Sequence, residues 1–408
     1  MGRRRDLADP PAITRSADYL AQTIADRVLS GTRGVKGTHE KTTNRPDMFH
    51  RTRPQSIAPL LAFGGYHHLV NKVRLVDVAR EAGVHAGTAS RALNPAARDA
   101  VSRQTVRRVE RAAQKLGYLP NTVARGLRTS RSFVVALVVP DITNPLFPYI
   151  VRAAEQVLAE AGYTLVLTDT NNRPDTERSQ VAAMRARGVD GFIMATARWD
   201  DPVLNELASD GVPTVLVNRR NESGPFPYIG ADDRHGIEMC VEHLKGLGHR
   251  AILHLAGPDN TSTGRERAAA FRQAMRAQRL SAGRAVVDCA SFTEEAGAAA
   301  VRATLAKGTT FTAIVAGNDL LAIGAMEALA EHGIDCPRDV SITGYNDVDF
   351  MRRLTPAFTT VRVPLHRMGV LAARTLLRWT NGDEPERSAQ TLLPVEFMRR
   401  GTTAPALI

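Results

Sequence analysis

From Leu75 the apolar positions follow a helical period and then, past Phe133, change to short continuous runs. Between Leu75 and Ala82, residues Leu75, Val78, Ala79 and Ala82 recur at helical spacing. Gly83 stands where the chain must reverse, Val84 turns back into the core, and a second helix is predicted over Ala86 to Leu93. Two short helices around a glycine turn make a helix-turn-helix. Ser102 is placed to cap a third helix, along which Val106, Val109, Ala113 and Leu116 form one apolar stripe, and Gly117 ends it. The run FVVALVVP at 133 reads as a strand covered on both faces, followed by a helix from about Phe147 to Ala161 with Gly162 as its stop. Further strands are expected at YTLVL (163), GFIMA (191), PTVLV (213), AILHLAG (251), TAIVAG (312) and VSITGY (340), with helical segments between them. Such alternation predicts doubly wound α/β layers with parallel sheets, and the length accommodates two such units behind an all-α head.

Charge divides the chain in the same places. Residues 1–72 carry 12 Lys or Arg against 6 Asp or Glu, residues 73–131 carry 12 against 4, and the remainder 29 against 32. The whole-chain net charge of +11 therefore sits in front of a slightly acidic body. A short segment this basic suits a polyanion, because Lys and Arg gain affinity by releasing phosphate counterions. At 408 residues, 43% apolar, the chain can bury a sizeable core, and no apolar run approaches the ~20 residues of a membrane span. Cys240, Cys289 and Cys336 are far apart and lack metal-ligand spacing, which suits buried thiols in a reducing cytoplasm.

Asp77-Val78-Ala79, Ala82-Gly83-Val84, Ser90-Arg91 and Asn94 together resemble the signature of the lactose-repressor (LacI/GalR) family of bacterial transcriptional regulators, and the resemblance runs over roughly residues 73–403. It implies a helix-turn-helix DNA-binding domain at 71–120, a hinge helix or linker at 121–132, and an effector-binding and dimerisation body at 133–403 like the periplasmic sugar-binding proteins. By the same resemblance one lobe comprises about 133–229 and 348–379, and the other about 231–346 and 383–403. Family members usually begin a few residues before the first helix. Residues 1–70, without sustained periodicity and without a signal peptide's apolar core, thus read as a disordered basic arm or as sequence upstream of the true start, with Val70 as one candidate start.

In the head, the helix from Ala86 is expected in the major groove. The resemblance puts base readout at Ala86, Gly87 and Arg91, with Asn94 completing the signature. Alanine can touch a thymine methyl but cannot hydrogen-bond, and glycine presents no side chain, so direct readout leans on Arg91. Thr88 and Ser90 are expected on phosphates, although either could bond within its helix. His85 stands where the family usually has a serine cap, and the connection from Asn94 to Val101 is about two residues longer than the commonest form. In the hinge, NTVARGLRTSRS, Leu127 falls on the family's minor-groove wedge, with Asn121 and Ala124 beside it and Arg125 and Arg128 near phosphates. Gly126 lowers helix propensity, which favours an unfolded hinge away from DNA.

Open parallel sheets bind ligands beyond the carboxyl ends of their strands, and polar side chains collect there: Asp141, Thr143 and Asn144, Asn218 and Arg219, Thr261 and Thr263, Asn318 and Asp319, Asn346 and Asp347. Any one of them could equally cap a helix. The resemblance places Arg267, Asn318, Asp319 and Asn346 on effector-contacting positions, with Phe147 and Phe292 as apolar walls. An arginine, several amides and a carboxylate around a flat wall suit a ligand with many hydroxyls, so a sugar or sugar derivative is expected, with a nucleoside as the alternative. The implied protein is a cytoplasmic homodimer, most simply a repressor, that binds double-stranded operator DNA and has no cofactor, metal or membrane partner.

Other classes fit less well. An enzyme would need a GxGxxG after a strand, a P-loop or a nucleophile elbow, none of which occurs, and Gly31, Gly34 and Gly37 have the wrong spacing for a nucleotide loop. A solute-binding transport protein would carry an export signal and no basic front domain. The hinge reading predicts that Leu127→Ala weakens binding to a cognate operator far more than binding to random duplex, measured by anisotropy titration. Equal losses on both would mean a plain linker.

Overall fold

The computed structural model describes residues 73–93, 95–118, 131–222, 224–281, 285–386 and 388–407. The expectations for residues 1–70, for Asn94 and for the hinge residues Asn121, Ala124, Arg125, Leu127 and Arg128 lie outside the described residues.

Three helices form the head: α1 (Leu75–Glu81), α2 (Ala86–Ala92) and α3 (Arg103–Leu116). Gly83 turns the chain at φ +61°, where a Cβ would be strained, and the Val84 amide donates to the Ala79 carbonyl at 3.0 Å to close the turn. The core is built from small residues, Ala79, Ala82, Ala89, Ala92, Ala112 and Ala113, around Val78 and Val109, which are fully inaccessible. Small side chains let helices of only seven residues approach closely enough to share one core. Ser102 caps α3 as expected, accepting from the Thr105 amide at 3.3 Å, and Gly117 ends it at φ +64°. The long connection after α2 winds into a 3₁₀ turn over Pro95–Ala100, tied to α3 by an ion pair between Arg98 and Glu110.

His85 does the work expected of a serine. Its Nδ1 accepts from the Gly87 amide at 3.1 Å.

The body alternates β1 (Val134–Val139), α4 (Phe147–Glu160), β2 (Thr164–Asp169), α5 (Pro174–Ala186), β3 (Gly191–Met194), α6 (Pro202–Ser209), β4 (Thr214–Val217) and β5 (Tyr228–Ala231). The second half runs α7 (Asp233–Gly246), β6 (Ile252–Ala256), α8 (Ser262–Ala277), β7 (Val286–Asp288), α9 (Glu294–Ala306), β8 (Ala313–Ala316), α10 (Asp319–Glu331) and β9 (Ser341–Thr343). It closes with β10 (Thr360–Arg362), α11 (Leu365–Thr380), β11 (Gln390–Leu393) and β12 (Glu396–Met398). The first lobe is a six-stranded parallel sheet in the order β11-β5-β4-β3-β1-β2, and the second a four-stranded parallel sheet, β7-β6-β8-β9, extended by the antiparallel pair β10-β12. Every strand expected from an apolar run is present. The unforeseen ones, β5, β7, β10, β11 and β12, have only three or four residues, as β3, β4, β8 and β9 do, but are not set in a long continuous apolar run.

The lobe boundaries need correction in two places. Residues 348–358, expected in the first lobe, belong to the second: Val348, Met351 and Phe358 are buried in the cluster with Ile314, Leu321 and Ile342. The chain crosses back only after β10. Conversely β11, expected in the second lobe, pairs in parallel with β5 and supplies the outer strand of the first sheet. Its exposed Gln390, Thr391 and Leu392 are what an edge strand tolerates, and a rule based on apolar runs overlooks them.

Removing the α2 cap with His85→Ala should cost about 1 kcal/mol locally. Amide exchange across Ala86–Ala92 would then speed up roughly fivefold, while His85→Ser would hold it near the parent rate. Unchanged exchange in His85→Ala would show that the ring bond adds nothing.

Candidate ligand cleft and nucleic-acid interface

α2 presents Ala86, Gly87, Thr88 and Ser90 half-buried and Arg91 exposed. Arg91 makes no hydrogen bond or ion pair among the described residues, whereas Lys115 is held by Glu81 at 2.6 Å and Arg80 by Asp77 at 3.5 Å. The one long polar group on this helix is therefore unengaged. On α3 the apolar stripe is spent on the core, leaving Arg103, Arg107 and Arg108 exposed on its other side.

The second site lies at the carboxyl edges of both sheets. Asn144, Leu146, Phe147, Asn218 and Arg219 from the first lobe and Thr263, Arg267, Phe292, Asn318 and Asn346 from the second line one small cavity. It continues outward into a cleft of about 140 Å³ that shares Asn144, Phe147, Arg219 and Phe292 and adds Thr170, Asn172, Thr196, Arg198, Asn260, Thr261, Ser291 and Thr293. Nine of the ten effector positions nominated from sequence thus face one space. Of the added residues only Thr261 was read at a strand end from the sequence; Thr196 and Arg198 follow β3 as Asn218 and Arg219 follow β4, so the same rule would have found them.

Asp319 is the exception. Its Oδ1 accepts from Thr360 Oγ1 at 2.7 Å and its Oδ2 from the Val348 amide at 3.0 Å, so the carboxylate fastens the loop after β9 rather than facing the cleft. Burial, with Asp347 nearby, raises its pKa to about 7 although those hydrogen bonds pull the other way.

Several lining residues hold local structure as well. Thr261 caps α8, accepting from the Gly264 amide at 3.1 Å, Asn318 caps α10 through the Leu321 amide at 2.8 Å, and Asn144 Oδ1 accepts from the Leu146 amide at 3.1 Å. Capping and lining are compatible because a helix start at a strand's carboxyl end points its first turn into the cleft. Phe292 lies against Gly257, where any Cβ would overlap its ring.

Arg267 is buried, donating to Asp233 Oδ1 at 3.0 Å and to the Gly317 carbonyl at 2.7 Å while lying 3.9 Å over the Tyr345 ring. Arg198 pairs with the inaccessible Glu177 at 2.8 Å. Burial, reinforced by Asp201, raises the Glu177 pKa. Arg219 is also buried, and burial followed by the charge of Arg267 lowers its pKa to about 10, leaving it cationic at neutral pH. Along one side the lobes touch directly: the Trp199 amide donates to the Asn260 carbonyl at 2.8 Å, the Arg220 amide to Ser262 Oγ at 3.0 Å, and the Arg220 side chain pairs with Glu266 at 2.6 Å. Among the described residues no cluster of His, Cys, Asp or Glu could hold a metal, and no helix is long and apolar enough to cross a membrane.

A helix-turn-helix with an unengaged arginine, joined in one chain to a two-lobed body with a polar cleft between its sheets, defines a ligand-controlled DNA-binding regulator. Residues 74–121 match the bacterial regulatory proteins of the lacI family, and residues 241–403 match the periplasmic binding protein-like domain. The chain belongs to the lacI family. It is 36% identical to an uncharacterized HTH-type transcriptional regulator in the aml 5' region of Streptomyces limosus, over 81% of this chain and 94% of that protein. It is 31% identical to the ribose operon repressor of Halalkalibacterium halodurans, over 80% of this chain and 96% of the relative. Among solved structures, the lac repressor dimer bound to operator and an anti-inducer superposes with a TM-score of 0.71 at 26% identity, over 81% of this chain and 99% of the other. These relatives are transcriptional regulators, not enzymes.

The raised pKa of Asp319 has a defined sign. A carboxyl that ionises near pH 7 when folded but near 4 when unfolded loses stability as pH rises across that window. Asp319→Asn, which keeps an acceptor for the Val348 amide and a donor for Thr360, should therefore gain several degrees of melting temperature over the parent between pH 4 and 7, with a constant gap above. A gap independent of pH would contradict the assignment.

Proposed function

We propose that the protein is a repressor that binds a near-palindromic operator as a homodimer and is controlled by a hydroxyl-rich, sugar-class ligand held between its lobes. The observation that carries the ligand half is the single cleft lined by Asn144, Asn218, Thr263, Asn318 and Asn346 against Phe147 and Phe292, with side chains from both lobes. Amides supply donor and acceptor together, as hydroxyls require, and the two phenyl rings offer flat surface for the carbon face of a sugar ring. The ribose operon repressor among the relatives supports the same ligand class.

On DNA, Ala86, Gly87, Thr88, Ser90 and Arg91 meet the major groove, and Leu127 from each subunit meets the minor groove at the centre of the site. A ligand that binds one lobe arrangement better than another shifts the balance between DNA-competent and incompetent states by its differential affinity.

The test is operator selection from randomised duplex with purified protein, followed by titrations at 50 and 200 mM salt with and without a panel of sugars and nucleosides. The expected result is an inverted repeat whose affinity falls by about 10³ or more across that salt range and changes at least tenfold with one sugar. A response to nucleosides alone would replace the ligand class, and selection of no inverted repeat would remove the proposal.

A further inference from the structure

The arginines around the cleft differ in how they are engaged. Arg267 is matched by Asp233, Arg198 by Glu177 and Asp201, and Arg220 by Glu266. The Asp141 carboxylate is occupied by the Thr143 amide and hydroxyl at 2.8 and 2.6 Å, and Asp319 is turned into its loop. Among these arginines only Arg219 forms no ion pair; Glu177, already paired with Arg198, acts on it only through space. Arg219 is only 8% exposed, its guanidinium makes no hydrogen bond or ion pair among the described residues, and its Nε is buried without a partner. It follows β4 in the first lobe, yet its guanidinium carbon lies 5.8 Å from the centre of the Phe292 ring of the second lobe, across the cavity both residues line.

Taking a guanidinium out of water without a partner is strongly unfavourable, so a buried one aimed into an open cavity signals a missing anion. A second orphan belongs to a residue that lines the same cavity: Asn346 Oδ1 is buried without a donor, on a residue held at φ +118°. The cavity therefore offers a planar, multi-donor cation at one position and an unsatisfied amide acceptor at another. A neutral sugar would satisfy Asn346 and leave Arg219 uncompensated.

Resting on the reading of this cleft as the effector site, we infer that the effector carries an oxyanion, a phosphoryl or carboxylate group on a hydroxyl-bearing body, and that Arg219 binds it. The guanidinium matches such a group in a forked pair of charge-assisted hydrogen bonds, while the amides take the hydroxyls.

The test compares full-length protein with Arg219→Gln and Arg219→Met by thermal melting and calorimetry. The probes are inorganic phosphate against chloride at equal ionic strength, glucose 6-phosphate and glucuronate against glucose, and ribose 5-phosphate against ribose. The parent should be stabilised saturably by phosphate and should prefer at least one anionic probe over its neutral parent by about tenfold or more. Both effects should vanish in Arg219→Gln, and Arg219→Met should melt no lower than the parent in chloride, since an uncompensated cation has been removed. The phosphorylated and carboxylated arms distinguish the two oxyanions. The inference is overturned if the neutral sugars bind as well as the anionic ones, if phosphate stabilises parent and Arg219→Gln alike, or if Arg219→Met is markedly destabilised without ligand. A response to neutral sugars alone would leave the cleft reading standing without the anion; silence to every probe would remove both.

Discussion

One buried guanidinium gathers the segments that make the cleft. Arg267 on α8 pairs with Asp233 at the first residue of α7, donates to the Gly317 carbonyl at the end of β8 and covers Tyr345 in the loop after β9. Three strand exits and the first crossover between lobes thus converge on one side chain. Losing one partner of a buried ion pair usually costs about 3–5 kcal/mol, because the other charge stays uncompensated. The Asn318 cap and the Asn346 amide are both held by chain fastened to this point, so the spacing of the cleft's polar groups follows from it.

The site combines satisfied and unsatisfied groups. Side chains that hold the frame are engaged: Asp319 accepts two hydrogen bonds, Glu177 accepts from Thr196 and pairs with Arg198, and Thr261 and Asn318 cap helices. Arg219 Nε and Asn346 Oδ1, on residues that line the cavity, have no hydrogen-bond partner. A binding cleft needs lining groups left over from the frame, because polar groups already paired with one another would have nothing to give a ligand.

The head uses a different economy. Its core of alanines and three valines leaves little room for error in helix approach, and helices depend on their caps, so His85 and Ser102 matter more than their exposure suggests. With Ala86 and Gly87 at the start of α2, the reach of this helix falls to Arg91, whose guanidinium makes no hydrogen bond or ion pair among the described residues.

Local pattern alone determined the three helices of the head, the seven strands set in apolar runs and the turn at Gly83, since each is written in a contiguous run or period or in a single backbone requirement. The strand-end rule and the family resemblance likewise reached nine residues of the cleft, because a residue following a parallel strand has one place to go. Only the folded molecule decided where the chain crosses between lobes, why Gln390–Leu393 serves as an edge strand, and which way each polar side chain turns. Along the chain Asp319 and Arg219 were both strand-end candidates, and the resemblance favoured Asp319. Their roles separated once Thr360 and the Val348 amide came within bonding distance of one, and the other formed no ion pair or side-chain hydrogen bond among the described residues. Hydrogen-bond satisfaction depends on partners distant in sequence, and periodicity carries no information about them.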